Sequence, residues 1–165
     1  MFSDEIIDLA TKVISHCSKN GYKIALAESC TGGLITAALT EIPGSSSVVD
    51  RGCVTYSNQA KRDLLSVDRQ TLAVEGAVSE DTARQMAEGA LNMTSIDATV
   101  AVTGIAGPGG GTPGKPLGRV HIAAARKGYD TRHKKCSFGD LGRGNVREET
   151  VKAALKLLNQ IVRAR

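Results

Sequence analysis

Apolar positions Ile6, Ile7, Ala10, Val13, Ile14 and Cys17 recur at helical spacing and predict a one-sided helix over residues 4–19. Ser3 stands where it can cap that helix, and Asn20-Gly21 can end it. A short apolar run follows at residues 22–27 (YKIALA) and reads as a strand. After the small polar stretch 28–33 comes a helical run at 34–41, stopped by Pro43-Gly44. Residues 47–57 are strand-like, with Gly52 marking a bulge or bend, and 58–65 form a short helix. Residues 67–78 read as a loop holding one helical turn. It leads to Ser79, an N-cap with Glu80 and Asp81 in the first turn of a helix at 80–93. ATVAV at 98–102 has the near-continuous apolar pattern of a buried central strand. Two strands at 118–125 and 131–138 form a hairpin through 126–130, and an amphipathic helix at 145–162 closes the chain. Alternating helices and strands with a late hairpin predict an α/β fold, a three-layer α/β/α sandwich with a mixed sheet, as one domain over residues 1–165.

Composition changes this picture only where it excludes things. Hydrophobic residues make up 41% and charged residues 23%, an ordinary globular balance. Aromatics are 3% with no Trp, so the core must be built from Ala, Val, Ile and Leu, and few rings are left for stacking bases. The net charge of +4 favours anions in general, including a phosphorylated small molecule. With no helix-turn-helix and no concentrated basic helix, the sequence argues against a nucleic-acid partner. The four Cys and three His residues are scattered, so no metal site is read from them. The acidic, amphipathic N-terminus is not a signal peptide, and no apolar run reaches membrane-spanning length. A soluble cytoplasmic chain is expected, without a membrane partner.

Candidate chemistry begins at Ser29, which leaves a strand just before Thr31-Gly32-Gly33 open a helix. Unpaired N–H groups at a helix start favour an oxyanion or a phosphate, and glycines let a ligand approach the backbone. A serine hydroxyl there can attack a carbonyl while those N–H groups hold the developing charge. The plainer use of Ser29 or Thr31 is as the cap of the following helix. Cys30 could compete as nucleophile, although its place after an apolar strand suits a packed thiol.

A base is needed, and no His or Asp follows in triad fashion. Tyr56, Asn58 and Lys61 are the next cluster, with Asn58 and Lys61 one helical turn apart. A desolvated lysine becomes a usable base, a tyrosine can pass or hold its proton, and serine–lysine pairing is an accepted alternative to the His-based triad. A solvated surface lysine is the alternative reading of Lys61. Thr103, Gly104, Ala106 and Gly107 open a glycine-dense stretch at the carboxyl end of ATVAV, where open α/β sheets bind ligands. The stretch is neither a P-loop nor a dinucleotide fingerprint, and it can serve as an anion nest or simply as a flexible loop. Lys115 and Arg143 are possible phosphate partners.

Five ordered motifs together resemble the CinA C-terminal domain family: AESCTGG at 27–33, PGSS at 43–46, GxVTYSNxxK at 52–61, GAVS at 76–79 and TGIAGPGGG at 103–111. The resemblance runs from about Ile24 to the closing helix. That family includes the stand-alone nicotinamide-nucleotide amidases. The resemblance therefore implies deamidation of nicotinamide mononucleotide to nicotinate mononucleotide, without a metal or other cofactor. It places Ser29, Tyr56 and Lys61 on active-site motifs. It also implies a pocket lined by Ser45, Ser46, Asn58, Thr103, Gly104, Ala106 and Gly107, to which the helix start adds Thr31, Gly32 and Gly33 as candidate binding residues. Many members carry a large N-terminal domain with a separate pyrophosphatase activity, which has no counterpart in these residues. Residues 139–147 form a longer loop than the family's Gly-Asp-Arg…Val-Arg pattern. That leaves Arg143 as a candidate binding residue and Arg147 as a matching structural position. A homo-oligomer is expected. The alternative is a non-catalytic nucleotide-binding module linked to competence or DNA damage, which would not need Ser29 and Lys61 together.

Overall fold

The computed structural model describes residues 2–165. In chain order the elements are α1 (Asp4–Asn20), β1 (Ile24–Glu28), α2 (Leu34–Thr40), a 3-10 turn (Ser45–Ser47), β2 (Val49–Val54), α3 (Asn58–Leu65), α4 (Arg69–Val74), α5 (Glu80–Leu91), β3 (Ala98–Gly104), β4 (Arg119–Arg126), β5 (Tyr129–Ser137) and α6 (Arg143–Val162). The strands form one mixed sheet in the order β2-β1-β3-β4-β5. β1 pairs in parallel with β2 and β3, while β3–β4 and β4–β5 are antiparallel. This is the expected three-layer α/β/α sandwich.

Side-chain size differs between the two faces of the sheet. Ile24, Leu26, Val100, Val102, Val120 and Ile122 meet α1, α2 and α6 on one face. On the other, Ala25, Ala27, Ala101, Ala123 and Ala125 lie against α3, α4 and α5. Alanines there let α5 approach closely enough for the buried Thr99 hydroxyl to donate to the Ala87 carbonyl at 2.9 Å. Gly89 of α5 in turn abuts the backbone of Leu65 at the end of α3. The helix that carries Lys61 is thus seated against α5 by a glycine contact.

Several elements depart from the sequence pattern. The 67–78 stretch holds a six-residue helix, α4, capped by the Asp68 carboxylate on the N–H of Gln70. α6 starts at Arg143 rather than 145. β4 and β5 extend into the expected connection and leave only Lys127-Gly128 between them. Ser79 caps α5 as expected, whereas Ser3 sits at the start of α1 without a side-chain bond. Among the described residues, no helix is long and apolar enough to cross a membrane.

Candidate active site

The chain leaves β1 for β2 on one side and returns as β3 on the other, so the carboxyl ends of β1 and β3 form a topological switch point, the place where open α/β sheets bind ligands. Ser29 sits at that switch point, immediately after β1, with 8% of its surface exposed. Its backbone N–H donates to the Val102 carbonyl on β3, tying the Ser29 turn to the neighbouring strand.

Lys61 projects from the first turns of α3, a helix capped by the Ser57 hydroxyl on the N–H of Ala60. It is 1% exposed, the largest fully buried side chain of the chain. Its Nζ lies 3.0 Å from Ser29 Oγ and donates to the Thr55 carbonyl at 2.7 Å. Among the described residues no carboxylate pairs with it. Burial pulls its pKa below 10.5, and a nearby Cys30 thiolate would act in the opposite direction. The reading of Lys61 as a solvated surface lysine is therefore overturned. A buried amine without a counter-charge favours the neutral form, whose lone pair can accept the Ser29 proton.

Neither Ser29 nor Thr31 caps α2. That work is done by Glu28, a residue the sequence reading passed over. Its carboxylate is fully buried and accepts from the N–H groups of Gly33, Ile35 and Thr36 and from the hydroxyls of Thr31 and Thr36, at 2.6–3.1 Å. This corrects the expectation that the helix start beside Gly32-Gly33 offers free donors to an oxyanion or phosphate. The reason is physical: a carboxylate buried at a strand end must be hydrogen-bonded, and the nearest donors are those of α2. The signal was present in the sequence as a glutamate ending the apolar run IALAE, since buried charges are rare unless paired. Gly32 and Gly33 have φ of 59° and 100°, a left-handed path that bends the turn around the carboxylate.

Tyr56 does not stand between serine and lysine. It is 59% exposed, and its hydroxyl accepts from Arg143 Nη2 at 2.9 Å. Arg143 Nη1 donates to the Gly107 carbonyl at 2.9 Å. One arginine from the start of α6 thereby links the segments that leave β2 and β3 at the carboxyl end of the sheet. Gly104, Ala106 and Gly107 follow there, with Gly107 at a φ of 83°, and the buried Thr103 hydroxyl donates to Ala77. Arg147, one turn further along α6, donates to the Thr31 carbonyl at 3.0 Å and braces the turn after Ser29. That fits the structural position expected for it.

Other expected members are not gathered here. Ser45 and Ser46 precede β2, whose first residue Val49 pairs with Ile24 at the opposite end of β1 from Ser29. Five residues of strand separate the two ends, roughly 16 Å. Because β1 and β2 are parallel, a segment entering β2 cannot share an end of the sheet with one leaving β1. Asn58 is exposed and borders a separate cavity of about 220 Å³ with Arg62 and Arg69. A second cavity of about 240 Å³, lined by Phe2, Ile6, Leu34 and Arg147, lies on the α1–α6 side of the sheet. Cys30 packs in the core with its thiol pushed up to about 11 by burial, which removes it as a competing nucleophile near neutral pH. Among the described residues no three His, Cys, Asp or Glu side chains cluster as metal ligands.

An α/β/α sandwich with a buried serine–lysine contact at its switch point has close relatives. Residues 6–162 match the CinA C-terminal domain model, and the chain belongs to that family. It is 52% identical over 143 residues, 86% of its length, to a CinA-like protein of Syntrophus aciditrophicus. It is 44% identical over 160 residues, 97% of its length, to a CinA-like protein of Anaeromyxobacter dehalogenans. The chain spans 33% and 38% of the lengths of those two relatives. Among solved structures it resembles the competence/damage inducible protein CihA from Agrobacterium tumefaciens, with a TM-score of 0.94, 51% identity and 96% coverage of both chains. A competence damage-inducible protein A from Klebsiella pneumoniae matches with a TM-score of 0.90 and 35% identity, over 97% of this chain and 99% of that one.

Proposed function

We propose that the chain hydrolyses the carboxamide of nicotinamide mononucleotide, giving nicotinate mononucleotide and ammonia, through a serine–lysine pair. The observation that carries this reading is the 3.0 Å contact between Ser29 Oγ and the buried, uncompensated amine of Lys61. The substrate follows from the resemblance of the five motifs to nicotinamide-nucleotide amidases.

Neutral Lys61 takes the proton of Ser29 as Oγ bonds to the amide carbon. The developing oxyanion is held by backbone N–H groups of the turn. Those of Cys30 and Thr31 suit the task, since neither donates to a backbone carbonyl among the described residues. The C–N bond then breaks, and the Lys61 proton passes to the departing nitrogen, which leaves as ammonia. Water attacks the resulting ester, Lys61 takes its proton, and Ser29 recovers it as the acid departs. With α2 already occupied by Glu28, the phosphate is assigned to the carboxyl end of the sheet, at Arg143 and the 103–111 loop. Tyr56 orients Arg143 rather than carrying the proton.

The test is ammonia release from nicotinamide mononucleotide and from free nicotinamide by the purified chain. Release from the mononucleotide, with much slower release from nicotinamide, is expected. Binding of the mononucleotide without ammonia would favour a binding module and overturn the reading.

A further inference from the structure

Glu28 does more than cap a helix. It directly precedes the nucleophile, is fully buried, and satisfies five donors drawn from residues 31–36. Its two oxygens divide these. Oε2 accepts from Thr31 Oγ1, Gly33 N and Ile35 N, while Oε1 accepts from Thr36 N and Oγ1. The whole turn from Ser29 into α2 is therefore wrapped around one carboxylate.

Two consequences bear on Ser29. Had Glu28 been absent, the hydroxyl best placed to cap α2 would belong to Ser29 or Thr31, and a capping serine is not free to meet Lys61. With the donors already taken, Ser29 Oγ has Lys61 as its hydrogen-bond partner. The second consequence is electrostatic. Glu28 brings a negative charge beside the pair, yet that carboxylate is bound by donors of α2 at the positive end of the helix. Burial dominates what Lys61 feels, with Cys30 acting in the opposite direction.

We infer that Glu28 is the positioning residue of the nucleophile: by capping α2 it holds Ser29 in the orientation that hands its proton to Lys61. This rests on the serine–lysine reading above but not on its substrate. Glutamine cannot substitute. Both oxygens accept from backbone N–H groups, so an amide NH₂ on either side opposes a donor.

The experiment compares the full chain with Glu28→Gln and Thr36→Val, each checked for a wild-type circular dichroism spectrum and melted to fix a temperature where it is folded. Two rates are read: covalent labelling of Ser29 by a fluorophosphonate, and ammonia release from nicotinamide mononucleotide. Folded Glu28→Gln is expected to label roughly 100-fold more slowly, and its kcat to fall by a similar factor while KM stays within about threefold. Thr36→Val removes one donor and leaves the charge, so a loss of several-fold is expected. A purely structural role would leave the folded variants at wild-type rates. That result in Glu28→Gln, or in Thr36→Val should Glu28→Gln fail to fold, overturns the proposal. Labelling of the wild-type chain without ammonia release would sink the substrate and leave Glu28 standing, and a chain that does neither sinks both.

Discussion

Replacing Gly89 by alanine sets two physical effects against each other, and the structure decides between them. In isolation the change favours the helix by about 1 kcal/mol. Here, however, a Cβ at Gly89 would lie 1.9 Å from the carbonyl oxygen of Leu65 and 2.7 Å from its carbon. Both are backbone atoms, so no side chain can swing aside. Restoring a carbon–oxygen distance of about 3.3 Å requires the end of α3 to recede by about 1.4 Å. Overpacking of this kind costs about 1–3 kcal/mol, more than the helix preference returns. A net loss of about 1 kcal/mol corresponds to a Tm lower by about 2–4 °C in a domain of this size. The larger effect falls on catalysis. Lys61 lies one turn before Leu65, and a retreat of even half that distance takes its Nζ out of hydrogen-bond reach of Ser29, now at 3.0 Å. Displacement of a catalytic group by an ångström costs about 100-fold in rate. Thermal unfolding followed by circular dichroism reads the first effect, and ammonia release reads the second. A variant with a raised Tm and unchanged turnover would refute the claim that this contact seats α3.

Two further outcomes follow from the site. Since burial lowers the Lys61 pKa and the neutral amine is the base, activity rises with pH through that lowered value and levels off above it. A pH profile of kcat/KM is expected to lose activity on the acid side, with its midpoint below 10.5; a limb lying at or above 10.5 would contradict it. Arg143→Ala removes the link between Tyr56 and Gly107. A KM for the mononucleotide raised by about 10-fold or more, with a smaller change in kcat, is expected from steady-state assays. An unchanged KM would remove Arg143 from the binding site.

The layers of the fold were legible because their signals are strong. ATVAV reads as a buried central strand without any context, and Ser79 with Glu80 and Asp81 marks the start of α5 where the helix begins. The short α4 was less legible because six residues carry little periodicity, and its cap at Asp68 is the clearest local sign. Within the site, Ser29 and Lys61 were named from residue type and spacing, but their meeting depends on β1 and β2 lying parallel and on α3 folding back under the sheet. Ser45 and Ser46 failed for the same reason in reverse. The motif resemblance put them in the pocket, whereas the parallel crossover carries them to the other end of the strands. Glu28 was missed because a strand-end carboxylate looks like surface charge until its donors are seen.

The serine–lysine pair is tested most directly by ammonia release from nicotinamide mononucleotide with Ser29→Ala, Lys61→Ala and the double variant. Groups that act as one unit are lost together. Each single change is expected to lower turnover by roughly a thousandfold or more, and the double variant to be no slower than either single one. Near wild-type release by either single variant, or losses that multiply in the double, would contradict a shared role for Ser29 and Lys61.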